Sequence, residues 1–87
     1  MEKTFPLAIL TPEKKIFDGP IVSLIVPAEL GYLGVLANHA PLIASLKTGR
    51  IIIRTTRATT VFENLAKGFL EVGRERTSIV IENIKEN

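Results

Sequence analysis

Apolar residues recur at every second position along much of this chain, and no stretch carries them at the spacing of a helix face. Positions 3–10 alternate around Phe5, Leu7 and Ile9, which predicts a half-buried strand that Pro6 confines to an edge or a strand start. Thr11-Pro12-Glu13 turns the chain, with Pro12 pre-set for the second position of a turn. A short strand follows over 14–17, closed by Asp18-Gly19-Pro20, where Asp-Gly is a strong turn signal. Positions 21–26 are rich in β-branched residues and predict a third strand, ended by Pro27. Beyond the centre, strands are expected over 42–46, 50–56, 60–65, 68–72 and 77–84. The middle of 50–56, Ile51-Ile52-Ile53, reads as buried on both faces. The intervening turns fall at Lys47-Thr48-Gly49, at Arg57-Ala58-Thr59 and at Gly73-Arg74-Glu75-Arg76. Turn signals thus recur about every 8–12 residues, the spacing of an all-β antiparallel sandwich or barrel.

Positions 26–42 break this rhythm. Gly31 and Gly34 bracket Tyr32-Leu33 as an apolar tip, polar Asn38-His39 follows, and Pro41 keeps Ala40 extended. The expectation is a long shaped excursion between two strands, carrying the chain's only Tyr and only His, and a connection of that length in a small domain is more often a contact surface than filler.

Composition narrows the function classes. The 87 residues make a single domain, 1–87, with 46% hydrophobic residues, enough for one core and too many for a disordered chain. A net charge of +2 implies no polyanionic partner. No cysteine is present, so disulfides cannot supplement the core and the redox compartment stays open. The first residues hold no apolar run of signal-peptide character, and no segment approaches the ~20 apolar residues of a membrane-spanning helix. The expectation is a soluble, intracellular protein that sits beside a membrane only through a partner.

Chemistry-bearing clusters are absent from the sequence. His39 has no acid, base or thiol nearby and no metal-ligand spacing exists, so it either ties down the loop backbone or touches a partner; catalytic, metal and cofactor roles are not expected. Tyr32 and Leu33 either fold back to plug one end of the sandwich or form an apolar patch for another protein. Arg50 and Arg54 share a strand face with Arg57 close by, but no aromatic is interleaved, so a solvated face outweighs a nucleic-acid stripe. The glycines are scattered as turn markers without a phosphate-binding loop, which predicts no nucleotide site.

Three blocks in order carry a family resemblance. Gly31-Tyr32-Leu33-Gly34-Val35-Leu36-Ala37-Asn38-His39-Ala40-Pro41-Leu42 resembles the G-x-L-G-[IV]-L-x-x-H-A-P-L signature of the epsilon subunit of F-type ATP synthases. Thr11 to Gly19 is similar to that family's opening, and Gly68-Phe69-Leu70-Glu71-Val72 to its late G-F-x-E-V strand. The resemblance implies a two-sheet β-sandwich of about ten short strands. It implies a non-catalytic rotor subunit that joins the gamma subunit of the central stalk to the membrane c-ring, on the cytoplasmic face of the inner (plasma) membrane or its organellar equivalent. It places Gly31, Tyr32, Leu33 and Gly34 against the c-ring, and His39, Ala40, Pro41, Leu42 and Ala44 against gamma. No small-molecule substrate or nucleic acid is implied. The chain departs from the family at Tyr32, where many members carry Glu, at Ala37, often Pro, and at Lys67, usually Gly. Most members continue past the position of Asn87 into a helical hairpin that carries regulation and, in some, nucleotide binding; neither is expected of these residues. The competing readings are a generic β-sandwich module for carbohydrate or peptide, disfavoured by a single Tyr and no Trp, and a small hydrolase, disfavoured by the lone His.

Overall fold

The computed structural model describes residues 2–86 and contains ten strands and no helix among them. They are β1 (Phe5–Leu10), β2 (Lys15–Ile21), β3 (Ser23–Ala28), β4 (Gly31–Leu36), β5 (Leu42–Leu46), β6 (Gly49–Arg54), β7 (Thr59–Asn64), β8 (Gly68–Val72), β9 (Thr77–Ile81) and β10 (Ile84–Glu86). Hydrogen bonds link them in the order β10-β7-β6-β3-β5-β8-β9-β1-β2, with β4 on the other side of β3. The path is pinched in the middle, where β3 meets β5 through the single pair Ala28↔Leu46. Two layers result, β4-β3-β6-β7-β10 and β5-β8-β9-β1-β2, hinged at that corner.

The alternation read from the sequence supplies the core between them. Leu7 and Ile9, Leu24 and Val26, Ile51 and Ile53, Leu70 and Val72, and Ile79 and Ile81 are buried pairs two residues apart on β1, β3, β6, β8 and β9. Each such side chain, fully removed from water, contributes about 1.5–3 kcal/mol. Ile52, expected to be buried like its neighbours, is only half-buried on the outer face.

Several expected boundaries move. Asp18-Gly19-Pro20 does not turn; β2 runs through it to Ile21, with Pro6 opposite Pro20 and Ala8 opposite Asp18. β2 pairs with β1 alone, so the ladder never calls on the missing N–H of Pro20 from a second side. The reversal of layer falls instead at Val22, a buried bend whose N–H donates to the Arg54 carbonyl at 2.7 Å. Pro27 does not end β3 either: it stands opposite Tyr32, and its carbonyl accepts from the Lys47 N–H at 2.9 Å. The β3–β6 ladder has stopped at Ile25↔Ile52, so no donor is wanted at Pro27. Positions 77–84 form two strands, because the chain leaves β9 at Glu82-Asn83 and crosses to pair β10 with β7. The reversal assigned to Arg57-Ala58-Thr59 begins earlier, at Thr55, whose hydroxyl oxygen accepts from the N–H groups of Arg57 and Ala58. One pairing is not antiparallel: β1 lies parallel to β9, with Leu7 level with Thr77.

Asn64 is the buried polar residue that ties two turns together. Its Nδ2 donates to the Lys47 carbonyl at 2.8 Å and its Oδ1 accepts from the Ala66 N–H at 3.3 Å. Asn64→Leu keeps the branched shape but strands both backbone groups, and is expected to lower the unfolding free energy by about 2–3 kcal/mol in chemical denaturation.

At the surface, Glu2 and Arg54 form a two-pronged ion pair at 2.7 and 3.2 Å, and Lys15 pairs with Asp18 at 2.9 Å. The Arg54 guanidinium holds the Glu2 carboxyl below its ordinary range, and the Lys15 ammonium does the same for Asp18. Depressed carboxylate pKa values stabilise the fold above the unfolded-state values, and that stabilisation is lost as pH falls through the folded-state values. Acid titration is therefore expected to remove these two contributions as pH falls from the ordinary carboxylate range through the depressed folded-state values, and a Glu2→Gln, Asp18→Asn variant should show a weaker slope there. Both pairs are exposed, so the effect is small and shrinks further in salt.

Candidate partner interface

The stretch expected to be a long excursion is a hairpin followed by a short loop. Glu29-Leu30 is a two-residue turn, and Gly31 takes φ 132°, a conformation that side chains rarely adopt. β4 then runs straight back along β3, pairing Tyr32 with Pro27, Leu33 with Val26 and Gly34 with Ile25. Tyr32 and Leu33 are therefore not a tip but neighbours on opposite faces of β4. The tip is Leu30, fully exposed. Tyr32 is 62% exposed, yet its hydroxyl reaches back across the outer face of the layer to within 3.5 Å of the Arg50 N–H, beside Gly49. Gly34 lies mid-strand and bends nothing.

After β4 the chain turns at Asn38, the one non-glycine residue with positive φ (67°) among those described. The His39 N–H donates to the Leu36 carbonyl at 3.2 Å, and its ring Nδ1 to the Ala40 carbonyl at 2.7 Å. The ring thus ties down backbone, as one of the two sequence readings held. His39 also borders a cleft of about 490 Å³ shared with Thr4, Arg74 and Arg76. Among the described residues no group of three or more His, Cys, Asp or Glu is placed to hold a metal ion.

β5 separates the residues expected to contact gamma. Leu42 and Ala44 turn half-buried toward the core, Ala40 and Pro41 are exposed in the loop, and Ile43 and Ser45 point outward. The two expected contact segments are also closer than the sequence suggested. Gly31, Tyr32 and Leu33 line the same groove as Leu42 and Ala44, about 540 Å³ in the seam between the layers.

The sequence reading missed a stretch of exposed apolar surface. Ile43 on β5 is 75% exposed, Phe69 on β8 59% and Val80 on β9 50%. Phe69 stands opposite Val80 on one side and Ser45 on the other, while Ile43 faces Glu71 one step diagonally away. A stripe of apolar side chains therefore crosses the outer face of one layer. Such a face, with its strands already paired and its other side packed on the core, has no internal use. Its signal was present in the sequence: Ile43 and Phe69 are apolar at positions where alternation calls for polar residues.

Comparison with known proteins decides the family. The model of the ATP synthase Delta/Epsilon chain β-sandwich domain matches residues 4–87. The chain belongs to that family. Curated epsilon chains agree: the ATP synthase epsilon chain of Chlorobaculum tepidum is 36% identical over 83 residues, covering 95% of this chain and 94% of its own length. That of Dichelobacter nodosus is 35% identical over 82 residues, covering 94% of this chain. The chain spans 57% of the Dichelobacter protein's length, so some epsilon chains are much longer than these residues. Among solved structures, a chain of the Euglena gracilis mitochondrial ATP synthase superposes with a TM-score of 0.88 at 17% identity, covering 95% of this chain and 53% of its own. A chain from the Tetrahymena thermophila mitochondrial ATP synthase central stalk and c-ring structure gives 0.78 at 16%. These two likenesses are of fold. The epsilon family's β-sandwich is the architecture found here, including the strands that carry the three sequence blocks.

Proposed function

We propose that this chain is a non-catalytic central-stalk subunit of an F-type ATP synthase, joining the gamma subunit to the c-ring so that ion-driven rotation reaches the catalytic head. It would sit as a peripheral subunit on the cytoplasmic face of the inner (plasma) membrane, or on the organellar equivalent. Family membership supplies the complex; the observation that carries the mechanical role is the apolar stripe of Ile43, Phe69 and Val80. A body that transmits torque needs a permanent, water-excluding contact on one partner and a second contact elsewhere, on a frame too close-packed to deform. The stripe suits the first. Beside it, His39, Ala40 and Pro41 lead into Leu42 and Ala44 at the rim of the seam, and we assign these to the gamma contact. The hairpin end, with Gly31, Tyr32, Leu33 and Gly34 behind Leu30, is assigned to the c-ring. Tyr32 offers ring surface and a hydroxyl there in place of a carboxylate, so this contact is one of packing and hydrogen bonding.

The test is titration of the purified chain with its cognate gamma subunit, followed by proton pumping in vesicles reconstituted with the whole complex. A stable one-to-one complex is expected. Tyr32→Asp should leave gamma binding intact and weaken pumping, because a buried unpaired carboxylate is costly. Normal pumping by that variant would remove the hairpin end from the c-ring contact. No measurable affinity for gamma would overturn the function.

A further inference from the structure

Positive charge gathers at the end of the domain opposite the Glu29-Leu30 turn. β4 finishes there at Leu36, β6 finishes at Arg54, and β8 turns into β9 through Gly73-Arg74-Glu75-Arg76. Lys3, Arg57, Arg74 and Arg76 lie at that end against Glu75 alone, once Glu2 is committed to Arg54. Glu71 stands lower on β8, opposite Ser78. Among the described residues, neither Arg74 nor Arg76 makes an ion pair or a side-chain hydrogen bond, with Glu71 and Glu75 or with any other group. Asp18 feels Arg76 only weakly and is itself paired with Lys15. The turn is nonetheless tight, closed by the Gly73 N–H donating to the Arg76 carbonyl at 2.9 Å.

The same two arginines rim the cleft of about 490 Å³ that His39 borders, and a buried hydroxyl lies at its floor. Thr77 is 2% exposed, stands in the inward phase of Ile79 and Ile81, and lines this cleft. No described residue hydrogen-bonds its hydroxyl, and the oxygen is not sealed from the cleft. Valine has the same shape and would serve the packing at least as well, so the hydroxyl has no use inside the domain. His39 makes a fixed wall, its Nδ1 spent on the Ala40 carbonyl. Outside the cleft, Arg76 continues the outward phase of Ser78 and Val80, one step before β9 begins. The charged rim therefore adjoins the apolar stripe.

We propose that this cleft seats an acidic side chain of the gamma subunit, its carboxylate held by Arg74 and Arg76 over the Thr77 hydroxyl. Guanidinium groups grip a carboxylate through paired N–H donors, and the hydroxyl supplies a further donor from below. The occupant's charge follows from the rim, and its reach follows from the recessed hydroxyl, which a flat anionic surface would not touch. The inference rests on the functional reading above and deepens it. His39 and the stripe of Ile43, Phe69 and Val80 are assigned there to gamma, and the cleft is bordered by His39 and by the turn that joins the stripe's strands β8 and β9. The hairpin end assigned to the c-ring is the far one, so the two contacts do not compete.

Titration of the full chain with its cognate gamma subunit tests it. An Arg74→Gln, Arg76→Gln variant is expected to bind about 30-fold more weakly. Raising salt from about 0.05 to about 0.5 M should weaken the parent more steeply than this variant, because the variant has lost the charge that salt screens. Thr77→Val should keep or raise the thermal midpoint of the free chain and yet weaken gamma binding by about threefold to tenfold, a split that a purely structural threonine would not give. Parental affinity and salt dependence in the arginine variant would overturn the seat and leave the functional reading standing. Parental affinity in a folded Thr77→Val chain would do the same. Inorganic phosphate bound by the free chain, with gamma affinity indifferent to the arginines, would make the cleft a small-anion site and overturn the proposal. A parent chain that binds no gamma would overturn both. If Thr77→Val fails to fold, the arginine variant and its salt dependence decide alone.

Discussion

Gly68→Ala will destabilise the domain by about 3 kcal/mol, lowering its thermal midpoint by roughly 12–24 °C. Gly68 opens β8 and is paired on both sides, with Leu46 of β5 and Ile81 of β9. A Cβ built there would lie 2.5 Å from the Val80 carbonyl oxygen and 3.1–3.2 Å from Ile81 Cγ1 and Cα. The obstacle is backbone held in a ladder, which cannot swing aside as a side-chain end would. Gly34→Ala is the matched control: the same change on the open edge, with empty space around the new methyl, should be neutral or stabilise by up to about 1 kcal/mol. Thermal unfolding followed by circular dichroism reads both. Equal midpoints for the two variants would mean that β8 and β9 are not packed as described.

Phe69→Ala will leave the fold intact and weaken gamma binding by about 2–4 kcal/mol, roughly 30- to 1000-fold. Phe69 occupies the middle of the exposed stripe, with Ser45 and Val80 as its cross-strand neighbours, so it is the natural anchor of a buried contact. Because it is exposed in the free chain, truncation leaves no cavity and the thermal midpoint should move little. Ile43→Asp should act in the same direction, placing a charge where water is to be excluded. Ala44→Arg would not serve as cleanly. Its side chain packs against the core, so a loss of binding could not be separated from a loss of fold. A folded Phe69→Ala chain with parental gamma affinity would take the stripe out of the interface and move the contact to the seam alone.

The sequence made most of the strands legible because alternation reports directly on which face is wet. Leu7, Ile9, Leu24, Val26, Ile51, Ile53, Ile79 and Ile81 announce their burial by spacing, and β5 and β8 lie at the expected residues. Two of the departures share one cause. Local turn chemistry was weighed as if strands were always paired on both sides, and Asp18-Gly19-Pro20 and Pro27 were read as stops. Each sits where a neighbouring strand is missing or has already ended, so its tertiary setting removes the penalty on which the signal depends. The β3–β4 turn was missed for the converse reason: Glu29-Leu30 carries no turn signature, and Gly31 alone supplies the unusual dihedral. The family blocks single out a stretch of chain, 31–44, that the structure places along one hairpin and its loop into β5. Which side chains face outward on β5 is a matter of pleat and register, and motif order does not contain it.

The parallel pairing of β1 with β9 has a consequence for how the domain comes into being. β1 is held between β2, which follows it directly, and β9, which ends at Ile81. Until that late strand emerges, the nascent chain can form the β1–β2 hairpin and little of the layer around it, with Leu7 and Ile9 still in water. Nearly the whole chain must be looped together before this contact repays the entropy of closing it. The layer around β1 thus closes through a non-local contact, of the kind that moves folding toward the millisecond-to-second range.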